Sequence, residues 1–259
     1  MLFPMELTLK MVLIVTAGVF FAGFVDGIAG GGGLISVPAF LLAGLPAHGA
    51  IGTDKMAAGM GIVVSTARLS KAGQIPWKKV WIYMLCAVAG SSGGARLALL
   101  VPDRIFKIIM LFVIPLTAVY ILFFKPTSVE KEPLPEKQTV LRASLIALLT
   151  GIYDGFYGPG TGTFMILLLT SAAHYRLGES NGVTKAINMA SNLSALSVYL
   201  LNGKVLFPLG IIAGCFNMAG CYIGIGFFHK KGSKIVLPLM LTVLSVFFLR
   251  LLYELFLQK

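Results

Sequence analysis

Four ionisable residues stand at matched places in otherwise apolar sequence: Asp26 and Asp154, Lys55 and Lys185. Ionisable groups inside hydrophobic runs are costly and are functional candidates by default. Each aspartate precedes a glycine break. The first break reads Ile28-Ala-Gly30-Gly31-Gly32-Gly33-Leu34, and the second reads Tyr157-Gly158-Pro159-Gly160-Thr161-Gly162-Thr163. Four successive glycines, each about 1 kcal/mol worse than alanine, do not sustain a helix, and Pro159 removes a backbone donor. The runs that follow, 34–44 and 162–173, reach only about 16–18 Å as helices at 1.5 Å per residue, too short to cross a bilayer. A helix that begins at mid-membrane points free N–H groups and its positive dipole end at that spot. Glycine lets a ligand come close to the backbone there. Two such starts facing each other make an anion site. The expected ligands are the backbone amides of Gly30, Gly31, Gly32 and Gly33 and of Gly158, Gly160 and Gly162, with Thr161 and Thr163 adding hydroxyl donors.

The cavity wall is expected from the next runs. Lys185, Asn188 and Asn192 share one helix face, with Ser191 beside them. Lys55, Ala58 and Ile62 form the plainer counterpart, so the polar wall comes mainly from the second half. Plainer readings stand beside these. The lysines can snorkel to an interface, the asparagines can join helices, and the glycines can serve close helix crossing. Close crossing is the preferred reading for Gly90/Gly94, Gly220/Gly224 and Gly210/Gly214. Asp26 and Asp154 have three readings: capping the breaks, pairing with a lysine, or carrying a proton or gating during transport. Capping is the plainest. Cys86, Cys215 and Cys221 lie in apolar runs without CxxC or Cys/His metal spacing, and read as small buried hydrophobes. His48, His174 and His229 flank segment ends and read as loop residues. Trp77 and Trp81 suit an interface belt. No HExxH or Walker lysine loop occurs, and no catalytic residue, cofactor or metal is expected.

The elements that position these residues follow from composition. The chain has 259 residues, 57% hydrophobic and 12% charged, with a mean hydropathy of +0.90. Soluble domains carry about 25% charged residues, so much of this surface faces something other than water. Apolar runs near 8–26, 34–44, 50–70, 77–101 and 105–124 precede a polar stretch, Lys125–Arg142, with three prolines and seven charges. Five more runs follow near 139–157, 162–173, 180–201, 207–228 and 234–257. This pattern excludes a soluble α/β enzyme, a nucleic-acid reader and a disulfide scaffold. The first run follows Lys10 without a clear cleavage site and reads as a retained membrane segment.

The halves repeat. Gly23-Phe-Val-Asp26-Gly27-Ile-Ala-Gly30 matches Gly151-Ile-Tyr-Asp154-Gly155-Phe-Tyr-Gly158 at a shift of 128 residues. Ala50–Lys55 matches Ser180–Lys185 at 130, as do Gly73 with Gly203 and Gly90/Gly94 with Gly220/Gly224. Loop charges suggest their relation. Arg68, Lys71, Lys78 and Lys79 make one first-half loop basic, whereas its counterpart near 198–209 holds only Lys204. The loop Val101–Lys107 is nearly balanced, whereas its counterpart His229–Lys234 is basic. Equivalent loops of opposite bias lie on opposite sides of a membrane under the positive-inside rule. The net charge of +11 is read as that loop bias rather than nucleic-acid binding. The expected architecture is an all-α polytopic membrane protein of two inverted repeats, each a Gly-broken hairpin plus about three spanning helices. The first repeat is 1–124, the charged cytoplasmic linker 125–138 and the second repeat 139–259, with both termini outside.

Gly23–Pro38 followed by Gly49–Lys55, together with Gly151–Gly162, Asn181–Asn192 and Gly214–Gly226, resembles the TauE/SafE family of sulfite exporter-like membrane permeases. The resemblance covers nearly the whole chain and both repeats. It implies transport of small sulfur-containing anions such as sulfite, sulfoacetate or related organosulfonates, in a bacterial inner membrane. Taken with the residues, the expected protein is a secondary transporter, an exporter, working by alternating access around a midplane anion site. Its partners would be a small anionic substrate, the lipid bilayer, and protons or another coupling ion, without nucleic acid; a homo-oligomer is left open. A membrane-embedded enzyme acting on a lipid phosphate, or an anion channel, are the alternatives. Exchanging the basic residues of 68–79 with those of 198–209 is expected to perturb topology; unchanged accessibility of terminal tags from the two sides would contradict the inverted arrangement.

Overall fold

A computed structural model describes residues 7–123 and 132–231. Nine helices make up the described residues: α1 (Leu9–Ala29), α2 (Gly33–Leu42), α3 (Ala47–Lys71), α4 (Trp77–Leu100), α5 (Asp103–Phe123), α6 (Glu136–Phe156), α7 (Thr161–Ser171), α8 (Leu177–Leu201) and α9 (Phe207–Lys231). The end of the expected linker is therefore helical, since α6 starts at Glu136, and the expected loop 229–234 is helical as far as Lys231. The remainder of that loop and the run 234–257 lie outside the described residues, as does 124–131. Among the described residues, α1, α4, α6 and α9 each hold a stretch long and apolar enough to cross a membrane. α2 and α7 are the short arms of two hairpins.

Local chemistry sets the ends. Thr8 caps α1 by accepting from the Met11 amide, and Gly30 closes it with φ 78°, a left-handed conformation that costs glycine little. Gly160, φ 83°, opens α7 in the same region. The outside is apolar: Leu13, Phe21, Leu85, Leu97, Phe112, Leu116, Leu145 and Leu149 are exposed, whereas Asp54, Lys55, Asp154, Lys185, Asn188 and Asn192 are buried. That inversion of a soluble protein's plan suits a lipid surround, where apolar side chains face the tails and polar groups must find partners inside.

Packing pairs each half with the other. α1 lies along α9, and α4 along α6; α3 packs on α9, α4 on α8, and α3 on α8. The two long contacts are one device used twice. Gly23 and Gly27 of α1 and Gly220 and Gly224 of α9 lie in one crossing, and the repeat equivalents Gly151 and Gly155 of α6 and Gly90 and Gly94 of α4 lie in the other. A Cβ on any of the eight would collide with the facing backbone. Small residues at such crossings let helices approach closely enough for van der Waals packing to hold them in lipid. Gly210 and Gly214 differ from expectation: each faces a methionine side chain, Met56 or Met60, rather than a facing backbone.

The helix starts separate into two groups. Met11 and Val15 of α1 pack with Ala50 of α3 and Leu209 of α9. Ala143 and Ile146 of α6 pack with Val80 of α4, Val183 of α8 and Leu69 near the end of α3. α3 thus runs from the first group to the second. Trp77, Trp81, Lys79 and Arg142 lie with the second group, where Lys79 pairs with Glu136 at 2.7 Å and Arg142 donates to the Ala172 carbonyl. The cysteines are not uniformly buried: Cys221 is, Cys86 is half-buried and Cys215 is exposed, an exposure that lipid tolerates for a small apolar side chain.

Replacing Gly94 or Gly155 by leucine should force α4 and α6 apart and cost roughly 1–3 kcal/mol or more. Thermal unfolding in detergent should show a midpoint several degrees lower. Gly93→Ala, where a Cβ meets open space, should leave it in place.

Candidate anion site

The two breaks meet each other. A Cβ on Gly162 would strike the Gly30 backbone, and one on Gly33 would lie 3.0 Å from the Cα of Pro159. The Thr163 hydroxyl donates to the Gly30 carbonyl at 3.3 Å, and that of Thr161 turns back to Gly158 at 2.6 Å. The start of α7 is therefore in backbone contact with the first break and the start of α2 with the second, and both threonine hydroxyls are engaged with carbonyls rather than pointing free into a cavity.

Beside this contact lies a cavity of about 40 Å³. Of the expected residues, Asp26, Gly30, Gly32, Gly33, Lys55, Asp154, Gly158, Gly160, Thr161, Gly162, Asn188 and Asn192 line it. Gly31, Thr163 and Lys185 do not line it. Ser36, Asp54, Ala58, Ile62 and Asn217 also line it.

The lysines do not snorkel. Lys55 and Lys185 are 3% and 2% exposed, and each crosses to the other half. Lys55 Nζ lies 2.8 Å from Asp154 Oδ1, and against Gly158. Lys185 Nζ lies 2.6 Å from Asp26 Oδ2 and donates to the Asp26 carbonyl at 2.7 Å. The aspartates thus take the pairing role, not the capping role expected of them: the break closes on backbone alone, the Gly30 amide donating to the Asp26 carbonyl. A helix-end cap needs a side chain at the first residues of a helix, and both aspartates sit near a C-terminus instead.

Asp154 is the more fully bonded of the two. Its Oδ2 accepts from Ser191 at 2.7 Å and from Asn192 at 3.4 Å. Asn192 also donates to Asn188 Oδ1 at 2.7 Å. Both asparagines therefore line the cavity, and Asn192 also ties α8 to α6 through Asp154. The first half lacks these side chains at Ala58 and Ile62, and Asn217 of α9 fills the gap. Its Oδ1 occupies the space above Gly61, and its Nδ2 donates to the Val19 carbonyl at 3.2 Å. Asn217 and Asp54 escape sequence reasoning. Asn217 has the short Ala87 as its repeat counterpart, and Asp54 adjoins the more conspicuous Lys55. His48 is likewise no loop residue: it is buried in the first turn of α3, pairs with Asp103 and contacts the Ala98 carbonyl at 2.9 Å. His174 does sit in a turn, at φ 57°, against the Glu132 carbonyl.

Helix starts, a glycine-lined approach, two buried ammonium groups and three carboxylates, Asp26, Asp54 and Asp154, share this centre. Among the described residues no cluster of three or more His, Cys, Asp or Glu is arranged to hold a metal.

Residues 15–251 match the sequence profile of the family described as "Sulfite exporter TauE/SafE". The chain is 32% identical over 249 residues to a "Probable membrane transporter protein ORF9" of Sinorhizobium sp, covering 96% of this chain and 95% of that one. It is 28% identical to a "Probable membrane transporter protein" of Haemophilus influenzae, with 96% and 98% covered. It is 29% identical to the "Probable membrane transporter protein YfcA" of Escherichia coli K12, with 90% and 86% covered. No solved structure matches. With its apolar outer surface, its polar centre and this match over nearly the whole chain, the protein belongs to the TauE/SafE family and is a multi-pass membrane transporter rather than an enzyme.

Proposed function

We propose that the protein is a secondary transporter, working as an exporter, of small sulfur-containing anions such as sulfite, sulfoacetate or related organosulfonates. The observation that carries this is the meeting of two half-helix starts, Gly33 of α2 and Thr161 of α7, at a cavity that also holds the Lys55 ammonium. The volume of about 40 Å³ holds roughly three water-sized groups, which favours an anion of sulfite or sulfonate-headgroup size. Convergent N–H donors suit the oxygens of such groups, and the family's description names sulfite.

The mechanism is alternating access by rocking of two repeats of opposite orientation around the breaks. Support for the opposite orientation is that α1 starts at the end where α3 starts, whereas α6 starts at the end where α3 finishes. The basic end, with Arg68, Lys71, Lys78, Lys79 and Arg142, is the cytoplasmic one under the positive-inside rule, in an inner membrane. Each crossed pair spans the two repeats, so rocking must carry or remake it.

Thermal unfolding of the purified protein against sulfite, sulfate, thiosulfate, sulfoacetate, taurine, phosphate and chloride tests the site. A true ligand at a hundredfold its Kd stabilises by about 2.7 kcal/mol, so one sulfur anion should raise the midpoint selectively. A flat response across the panel would remove the anion-site reading. The crossed pairs give a second test. Lys185→Ala should cost about 3–5 kcal/mol by stranding Asp26. Adding Asp26→Ala should recover most of that stability. Anion flux into proteoliposomes should stay lost in both variants; flux that returns with stability would make the pair purely structural.

A further inference from the structure

The centre holds three carboxylates, Asp26, Asp54 and Asp154, and two ammonium groups. Lys55 is committed to Asp154 and Lys185 to Asp26. Asp54 is the remainder. It lies on α3, is 5% exposed and lines the cavity, and among the described residues its Oδ1 has no hydrogen-bond partner. The repeat equivalent is Thr184, fully buried, whose hydroxyl is also without a partner. The second half thus builds this position with a neutral group, so the extra carboxylate is not something the packing requires.

Among the described residues its surroundings offer no further cation. Asp26 on α1 and Asp154 on α6 are like charges, and Lys185 on α8 and Lys55 on its own helix are the two committed ammonium groups. α2 brings the Ser36 hydroxyl. α9 brings Asn217 and the Cys221 thiol, joined to each other at 3.5 Å. α5 brings Asp103, which is engaged with His48. An ionised carboxylate without a counter-ion is costly at membrane depth. It would also repel an anion held at the starts of α2 and α7 in the same cavity. Protonated, the same group is neutral and offers an O–H donor.

We propose that Asp54 is the proton-carrying residue of the transport cycle: the cavity accepts its small anion only when Asp54 holds a proton, and one proton crosses with each anion. The inference rests on the anion-site reading above. The proton comes from water on the side to which the cavity is open, binds Asp54 Oδ1, and returns to water on the other side when the anion leaves. No covalent bond of the substrate changes. Asp26 and Asp154 keep their ammonium partners and serve as fixed charges. Net movement then follows the anion and pH gradients together, so an inward proton gradient opposes export and the protein exports only when the outward anion gradient exceeds it.

The test uses the full chain, with thiosulfate and sulfoacetate as probes because both keep their charge between about pH 5.5 and 8. Apparent affinity, read from the midpoint shift, should fall about tenfold per pH unit on the alkaline side, as linkage of one proton to one anion requires. Adding thiosulfate to weakly buffered protein should draw protons from solution. Asp54→Asn should bind the probes with an affinity that no longer varies with pH, and in proteoliposomes should lose accumulation driven by a pH gradient. Wild-type binding that ignores pH, an Asp54→Asn variant as pH-dependent as wild type, or binding that needs sodium instead of protons would each overturn the proposal while leaving the anion site standing. No midpoint shift at any pH would overturn the site and the proposal together. Should Asp54→Asn fail to fold, proton uptake by the wild-type protein decides alone.

Discussion

An ammonium group buried among membrane helices is tolerable beside a carboxylate, and each of the two here finds that carboxylate in the opposite half of the chain. Much of the centre is arranged around this exchange. Lys55 crosses to α6 and Lys185 to α1, so the long helices α3 and α8 are tied to the unwound ends of the two hairpins. Such pairs add little net stability over an apolar replacement, because desolvation offsets the attraction. Their contribution is arrangement: a mispaired packing would leave charges stranded in a medium that cannot solvate them.

The exchange is possible only because backbones come close. The eight glycines of the α1–α9 and α4–α6 crossings remove the side chains that would otherwise hold the helices apart, and Gly30 and Gly162 do the same where the breaks touch. The breaks then carry two consequences at once. They interrupt α1 and α6 so that α2 and α7 begin inside the protein, and they expose helix starts beside the ion pairs. Positive dipole ends, buried ammonium groups and carboxylates share one small volume, where the field of each is weakly screened. In that setting a change of one charge is felt by the whole centre.

The sequence shows some of this plainly and hides the rest for physical reasons. Breaks, repeats and close crossings are readable because glycine has few other uses at such regular spacing in apolar runs. The membrane setting is readable from composition. Partner choice is not: Lys185 and Asp26 stand 159 residues apart, and spacing says nothing about which aspartate a lysine will meet. The plain guess that Asp26 and Asp154 cap the breaks follows local sequence, whereas the outcome depends on tertiary contact. Asp54 is inconspicuous because Gly52-Thr-Asp-Lys55 looks like the polar start of a helix, and only the finished fold shows its second oxygen without a partner. Asn217 lies in a different helix from the gap it fills, so no periodicity in α3 could reveal it.

The doubled crossing has a historical reading. A shorter chain carrying one repeat could form every one of these contacts by pairing with a second copy about a two-fold axis, since an isologous contact makes each lysine–aspartate pair twice from one set of residues. Such a dimer is bound by its symmetry: any residue placed in one subunit appears in the other. Joining the copies into one polypeptide lifts that restriction. Asp54 can then stand where the other half has Thr184, and Ala58 and Ile62 where it has Asn188 and Asn192, so that two halves once alike come to differ.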